Sequence, residues 1–289
     1  MINFDLKRKI KSNVWHCQLK KEEFVVKKYD NPLVAKKVKA VHEKLADMQF
    51  PHTLSKVTLE DQNILIQPWI KNARSFSYQS RMDRTNSLEL LHQLHQTGKK
   101  VDWSKDEYLL PPYDLRLKWQ ERLQKFIMHY AQVSVYLGAD NCNQLILYAQ
   151  EALKDFNQIE PLQSKKTLLH GDVVHHNFLK DSKGKNILID FDLAAYGHPE
   201  EEFIMWMHRV LPHVNYNLST LLNEQPLLKR IPLTYLQTLR FPNEILREWM
   251  YVKTVTTEKQ QAFVEELIRF TEVALSSWSK LWYDCGRWK

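Results

Sequence analysis

Two polar clusters constrain this chain more than anything else in it: Leu169-His170-Gly171-Asp172-Val173-Val174-His175-His176-Asn177-Phe178 and Ile187-Leu188-Ile189-Asp190-Phe191-Asp192. Each borders short strand-forming runs, Thr167–His170, Phe178–Lys180 and Asn186–Asp190. Between the last two lies Asp181-Ser182-Lys183-Gly184-Lys185, a hairpin turn by composition. A hairpin there returns Asp190 to the neighbourhood of Asp172 and Asn177, which stand five residues apart around a loop. Two carboxylates and an amide then converge. Hard oxygen ligands of this kind suit Mg2+, with phosphates and water completing its shell. A carboxylate beside them suits the removal of a proton from a hydroxyl. Phosphoryl transfer asks little more of a protein than these groups and a positioned acceptor.

The rest of the chain surrounds that segment with a recognisable order. Phe24-Val25-Val26-Lys27-Lys28-Tyr29 is a strand-prone run closed by Asp30-Asn31-Pro32. Val34, Val38, Val41, Leu45 and Met48 recur at threes and fours and predict a helix. Strands are expected at Ser55–Leu59 and Asn63–Gln67, the second stopping at Gln67-Pro68-Trp69. From about Ser80 the pattern is helical: Leu88, Leu91, His92 and His95 share a face, and helices are expected over Tyr113–Tyr136 and Asn143–Phe156. After Glu202 it is helical again, punctuated by Pro212, Pro226, Pro232 and Pro242. The expectation is an α+β chain with a small strand-rich part, residues 1–70, and a larger, mainly helical part, residues 71–289, that holds one hairpin.

His-Gly-Asp followed by Asn177, then Ile189-Asp190-Phe191-Asp192, resembles the paired signature of the aminoglycoside phosphotransferase and choline kinase families, relatives of protein kinases. The resemblance implies a two-lobed, protein-kinase-like fold and an enzyme that uses ATP and Mg2+ to phosphorylate a hydroxyl of a small molecule. It implies Asp172 as catalytic base, Asn177 and Asp190 as metal ligands, and His170 as a buttress of the loop. It also implies that Asp192 lies near metal or substrate. Lys27 resembles the strand lysine that grips the nucleotide phosphates, with Lys28 on the opposite face. Glu43, the only acid well inside the following helix, is the expected partner of Lys27. Gln67-Pro68-Trp69-Ile70 resembles the hinge whose backbone pairs with adenine. Gly197-His198-Pro199 with Glu202 resembles a Gly-x-Pro-x-x-Asp motif, Glu202 being structural or substrate-side. The phosphate loop departs from the protein-kinase pattern. Ile10-Lys11-Ser12-Asn13-Val14-Trp15 has no glycine, and Ser12 and Asn13 are its candidate phosphate donors. Arg240-Phe241-Pro242 resembles the spore-coat-associated branch, which keeps a kinase fold with a structural or binding role as the alternative function.

Composition excludes other classes. Cys17, Cys142 and Cys285 lie far apart, which argues against a disulfide framework and for a reducing, cytoplasmic setting. Met1–Ile10 has no apolar h-region, and no apolar run approaches the length of a membrane span. Of the net charge of +7, most sits in residues 1–50, where twelve basic residues face six acidic ones. No helix-turn-helix, zinc-finger or RNP-like signature accompanies that charge, so nucleic acid is not the expected partner. The acceptor side has Asp192, Glu200, Glu201 and Glu202 as candidate acids, and Trp206, Trp249, Trp278, Trp282 and Trp288 as either a cation–π cage or a helical core.

Overall fold

Residues 5–28, which show almost no alternation of apolar and polar side chains, form three strands of one sheet. The computed structural model describes residues 5–54, 56–106, 108–252 and 257–286; Ser55, Trp288 and the first four residues lie outside it. Strands β1 (Asp5–Lys11), β2 (Val14–Leu19), β3 (Glu22–Lys28), β4 (Thr58–Glu60) and β5 (Ile64–Pro68) make an antiparallel sheet in the order β1-β2-β3-β5-β4. All seven residues of β1 are exposed. An edge strand with two wet faces has no period-two hydrophobic signal, which is why the sequence does not announce it.

Helix α1 (Pro32–Asp47) begins where Asn31 accepts the Leu33 amide at 2.9 Å, with Pro32 in the first turn. Its buried face is Ala35, Lys37, Val38, Val41, His42 and Leu45. Helix α2 (Arg81–Gln96) is capped by Ser80 and buries Leu88, Leu91, Leu94 and His95. The expected hairpin forms as β8 (Phe178–Lys180) and β9 (Asn186–Leu188), joined in a small sheet by β6 (Arg74–Ser75). Asp181 closes the turn by accepting the Lys183 and Lys185 amides, both at 2.8 Å, and Gly184 takes φ +83°. A further pair, β7 (Thr167–Leu169) with β10 (Ala195–Gly197), brackets the two polar clusters.

The chain falls into two compact units, Met1–Tyr113 with Ser164–Glu202, and Asp114–Gln163 with Phe203–Lys289. The second is helical: α3 (Leu115–Met128), α4 (Tyr130–Leu137), α5 (Ala139–Phe156), most of α6 (Pro199–Val210), α7 (Leu218–Glu224), α8 (Leu233–Leu236), α9 (Asn243–Trp249) and α10 (Thr257–Gly286). The single helix expected over 113–136 is therefore two, broken at His129, whose backbone leaves helical angles. Among the described residues no helix is long and apolar enough to cross a membrane.

Trp119 centres this unit, stacked on Phe241 at 4.6 Å and 10° and edge-on to Phe156 and His208. Trp206, Trp249 and Trp278 are at most 3% exposed, so these three are packing residues rather than an open cage. Trp119→Ala is expected to lower stability by about 3–5 kcal/mol, read from the urea midpoint. A loss below about 1 kcal/mol would show that Trp119 does not organise this core.

Candidate active site

The loop that carries His170 to Asn177 leaves β7 through a turn that only glycine can make. Gly171 has φ +80°, and a Cβ there would lie 1.9 Å from the Leu193 carbonyl oxygen. His170 is fully buried; its Nε2 meets the Ile189 carbonyl at 2.8 Å and its Nδ1 accepts the Asp172 amide at 3.4 Å. A carbonyl only accepts and an amide N–H only donates, so His170 carries its proton on Nε2. Asn177, 1% exposed, donates Nδ2 to the Asp172 carbonyl at 3.0 Å and to Asp172 Oδ2 at 3.2 Å. Its side-chain carbonyl is thereby left as the end that can ligate a cation. Asp172 and Asn177, five apart in sequence, do meet.

Glu202 holds this loop from behind. Its Oε1 accepts the Gly171 amide at 2.6 Å, and its Oε2 accepts the His170 amide at 3.2 Å and His95 Nε2 at 2.7 Å. Burial alone would raise its pKa, but the His95 hydrogen bond, the nearby imidazoles and the Gly171 amide outweigh it and hold Glu202 below the ordinary carboxylate range. With 1% exposure and every bond internal, Glu202 is a clamp on the loop and not a substrate contact. His95 is structural, as its partner requires.

Asp190 ends the β9 run in the left-handed region, φ 66°, which an aspartate tolerates better than most residues but which still carries strain. The Ile189 amide just before it donates to the main-chain carbonyl of Asn177 at 3.1 Å, tying the two clusters together. Lys27 Nζ reaches Asp190 Oδ1 at 2.9 Å and Asp192 Oδ2 at 2.5 Å, while the Tyr29 hydroxyl donates to Asp192 Oδ1 at 2.7 Å. Burial opposes each charge in this group. Even so, the two carboxylates raise the Lys27 pKa, and the lysine lowers that of Asp190. Asp192 goes the other way, raised by burial and then by the Asp190 charge.

Glu43 is not the partner of Lys27. It lies on the exposed face of α1 and pairs with Lys39 at 2.7 Å, because its position is out of phase with the buried stripe Val38, Val41 and Leu45. The residue that α1 turns inward is Lys37, 7% exposed, which donates to the Ala194 carbonyl at 3.1 Å; burial lowers its pKa, and Asp192 pulls it back up. Tyr29 and Lys37 were missed from sequence. Tyr29 alternates with Lys27 along the strand, and Lys37 falls four residues before Val41, so both were legible from periodicity.

Strand register defines the face that carries Lys27. Residues directly opposed across an antiparallel pair share a face. Lys27 pairs with Val14 and Leu65, and Val14 with Lys11; one step along, Val25 pairs with His16 and Gln67, and His16 with Arg8. Asn13 sits in the two-residue turn after Lys11; its Nδ2 donates to the Lys28 carbonyl at 3.1 Å, and its own carbonyl accepts the Lys28 amide at 3.0 Å. It anchors the β1–β2 turn beside Lys27, while Ser12 is exposed at the tip. Trp69 extends β5, its amide donating to the Glu23 carbonyl at 2.9 Å, and its ring stacks on His16.

The Glu202 geometry predicts a pH signature. Its folded pKa lies below the ordinary 4.5, so its contribution is fully present above about pH 4.5 and is lost as pH falls through the folded value. Glu202→Gln sets an amide against three donors. It is expected to cost about 1–3 kcal/mol at pH 7, the gap from the parent protein narrowing below pH 4.5. A gap independent of pH in denaturant titrations would contradict an ionised Glu202.

Comparison with curated proteins gives no match. Among solved structures, an aminoglycoside phosphotransferase from Alicyclobacillus acidocaldarius superposes with TM-score 0.66 at 15% identity, over 98% of this chain and 93% of that one. Spectinomycin phosphotransferase, solved with ADP and spectinomycin, gives 0.63 at 14% identity over 95% and 92%. The choline kinase LicA from Streptococcus pneumoniae gives 0.57 at 13% over 94% and 93%. The fold is thus the α+β, kinase-like one expected. The model of the phosphotransferase enzyme family (APH) matches residues 9–215, a span that contains Lys27, Asp172, Asn177, Asp190 and Asp192. This chain belongs to the phosphotransferase enzyme family.

Proposed function

We propose that this chain is a small-molecule kinase that transfers the γ-phosphoryl group of ATP to a hydroxyl, with Asp172 as the base. The observation that carries the reading is the meeting of two groups. Asp172 and Asn177 are joined by side-chain hydrogen bonds, and Asp190 and Asp192 share the Lys27 ammonium. Solved relatives in fold act on aminoglycosides, spectinomycin and choline by their names, and one of them holds ADP, which supports a nucleotide and a small hydroxyl acceptor.

In this reading residues 1–70 serve the nucleotide and residues 71–289 supply the loop and the acceptor side. Lys27, with Lys11 on the same face, meets the phosphates, and Asn13 and Ser12 border them. Asp190 and the side-chain carbonyl of Asn177 are the oxygens that fit Mg2+, with Asp192 beside them. Among the described residues no three His, Cys, Asp or Glu side chains form a closed cage, so phosphates and water would fill much of the shell, as Mg2+ prefers. When bound, the ion supplies charge neutralisation at the phosphates. The protein's own part is positional. His170 and Glu202 fix the loop so that the Asp172 carboxylate meets the acceptor hydroxyl. The hydroxyl oxygen bonds to the γ-phosphorus, the bond to the β–γ bridging oxygen breaks, ADP leaves with that electron pair, and Asp172 takes the proton. Three buried free cysteines suit a reducing, cytoplasmic setting.

Two substitutions test this reading. Asp172→Asn should keep Mg2+-dependent nucleotide binding but lower ADP release, across a panel of amino alcohols, sugars and aminoglycosides, by about 10²–10⁴-fold. Asp190→Ala should abolish Mg2+-dependent nucleotide binding itself. Nucleotide turnover that survives Asp190→Ala unchanged would overturn the assignment, and a parent protein that binds no nucleotide would favour a structural role for the fold.

A further inference from the structure

We infer that Asp192 is the residue that positions Lys27 toward the nucleotide phosphates, in place of the helix acid expected from sequence, and that the Tyr29 hydroxyl fixes Asp192 for that task. The inference rests on the nucleotide-dependent reading above and deepens it, giving Asp192 a role separate from that of Asp190.

Helix α1 leaves the place open. Its two acids, Glu43 and Asp47, are exposed, and Glu43 is held by Lys39 at 2.7 Å. The buried stripe of the helix contains the cation Lys37 and no acid. Lys37 Nζ donates to the Ala194 carbonyl at 3.1 Å, two residues beyond Asp192. The helix therefore meets this segment as a donor, and Lys27 must find its acceptor elsewhere.

Asp192 supplies it. Its Oδ2 lies 2.5 Å from Lys27 Nζ, against 2.9 Å for Asp190 Oδ1. Its other oxygen accepts the Tyr29 hydroxyl at 2.7 Å. Lys27 and Tyr29 stand two residues apart and continue one strand alternation, so both reach Asp192 from the same side. Tyr29 is itself pinned. Its amide donates to the Asn63 carbonyl at 2.9 Å, its carbonyl accepts Asn63 Nδ2 at 3.2 Å, and the residue is 6% exposed. Lys27 Nζ also lies 5.0 Å from the centroid of the Tyr29 ring, a second hold on the ammonium.

The two carboxylates thus differ in their ties. The proposed function gives Asp190 to the cation, whereas Asp192 has both oxygens engaged by the strand that carries Lys27. A lysine is a flexible point charge, and aiming it before the ligand arrives lowers the ordering cost of binding. Charge alone argues the other way: removing a carboxylate near the phosphates should favour an anion. The sign of the effect therefore separates positioning from simple repulsion.

Calorimetric titration of the full chain with ADP tests this, at saturating Mg2+ and then over a Mg2+ series at saturating ADP. Asp192→Asn should weaken ADP by about 5- to 100-fold, within the range of coupling between groups in contact. Tyr29→Phe, which removes one hydroxyl and keeps the ring, should weaken it by about 2- to 10-fold. In a Lys27→Met background each substitution should change ADP affinity by less than about twofold, because the residue it acts through is gone. The Mg2+ midpoint should stay within about threefold of the parent's in both single variants, as for independent sites. ADP affinity that is unchanged or tightened in Asp192→Asn overturns the inference. A loss of equal size in both backgrounds overturns it too, since a merely structural role is indifferent to Lys27. A Mg2+ midpoint raised about tenfold or more also overturns it, and makes Asp192 a ligand of the ion. If Lys27→Met alone abolishes binding, or Asp192→Asn does not fold, the ADP affinity and Mg2+ midpoint of Tyr29→Phe decide by the same limits. Any of these failures in a parent that binds ADP with Mg2+ sinks this inference alone. A parent that binds no ADP sinks the kinase reading and this inference with it.

Discussion

One ammonium group joins the two ends of this site. Lys27 on β3 bridges Asp190 and Asp192, residues more than 160 positions away in sequence, and every other element of the arrangement serves to bring those three together. Two adjacent carboxylates repel, and a lysine withdrawn from water loses hydration; each is tolerable because of the other. Tyr29 completes the group by donating to the remaining oxygen of Asp192. Removal of the lysine would leave two half-buried carboxylates opposed, so the charge cluster and the sheet that presents Lys27 depend on each other.

The neighbouring catalytic loop is held by a different kind of interaction, uncharged on one side and fully buried. His170 spans from the Asp172 amide to the Ile189 carbonyl, and Glu202 gathers two loop amides and His95. These groups have no opening toward solvent and so act on chemistry only through the geometry they impose. Asp172, Asp190 and Asp192, less buried, keep the side chains that can meet a ligand. Two positive-φ positions, Asp190 and the glycine-only turn at Gly171, lie on either side of the loop that must aim these carboxylates.

Much of this was legible from residues alone, and the remainder fails for identifiable reasons. The spacing of Asp172 and Asn177 and the hairpin composition of Asp181–Lys185 specified a local structure that formed as expected, since both are short-range features. The partner of Lys27 was misread because residue type was weighed above helical phase: Glu43 is acidic but points outward, whereas Lys37 points in. Glu202 was placed between two roles that only burial separates. Strand β1 escaped because an edge strand wet on both sides carries no alternation, and β2 because its buried pair, His16 and Cys17, is adjacent rather than alternating; with it went the meaning of His16, which depends on a cross-strand neighbour and on Trp69, 53 residues on. The helix break at His129 has no proline or glycine to mark it.

The central claim is that the Lys27–Asp190–Asp192 cluster, with Asn177, is a seat for a nucleotide whose phosphates carry Mg2+. Titration of the parent protein with ADP, in EDTA and then in millimolar Mg2+, tests it most directly. The account predicts that the ion strengthens ADP binding by at least about tenfold, because it lets two carboxylates face the phosphates without repulsion. ADP affinity that is the same with and without Mg2+, or no binding in either, would contradict it.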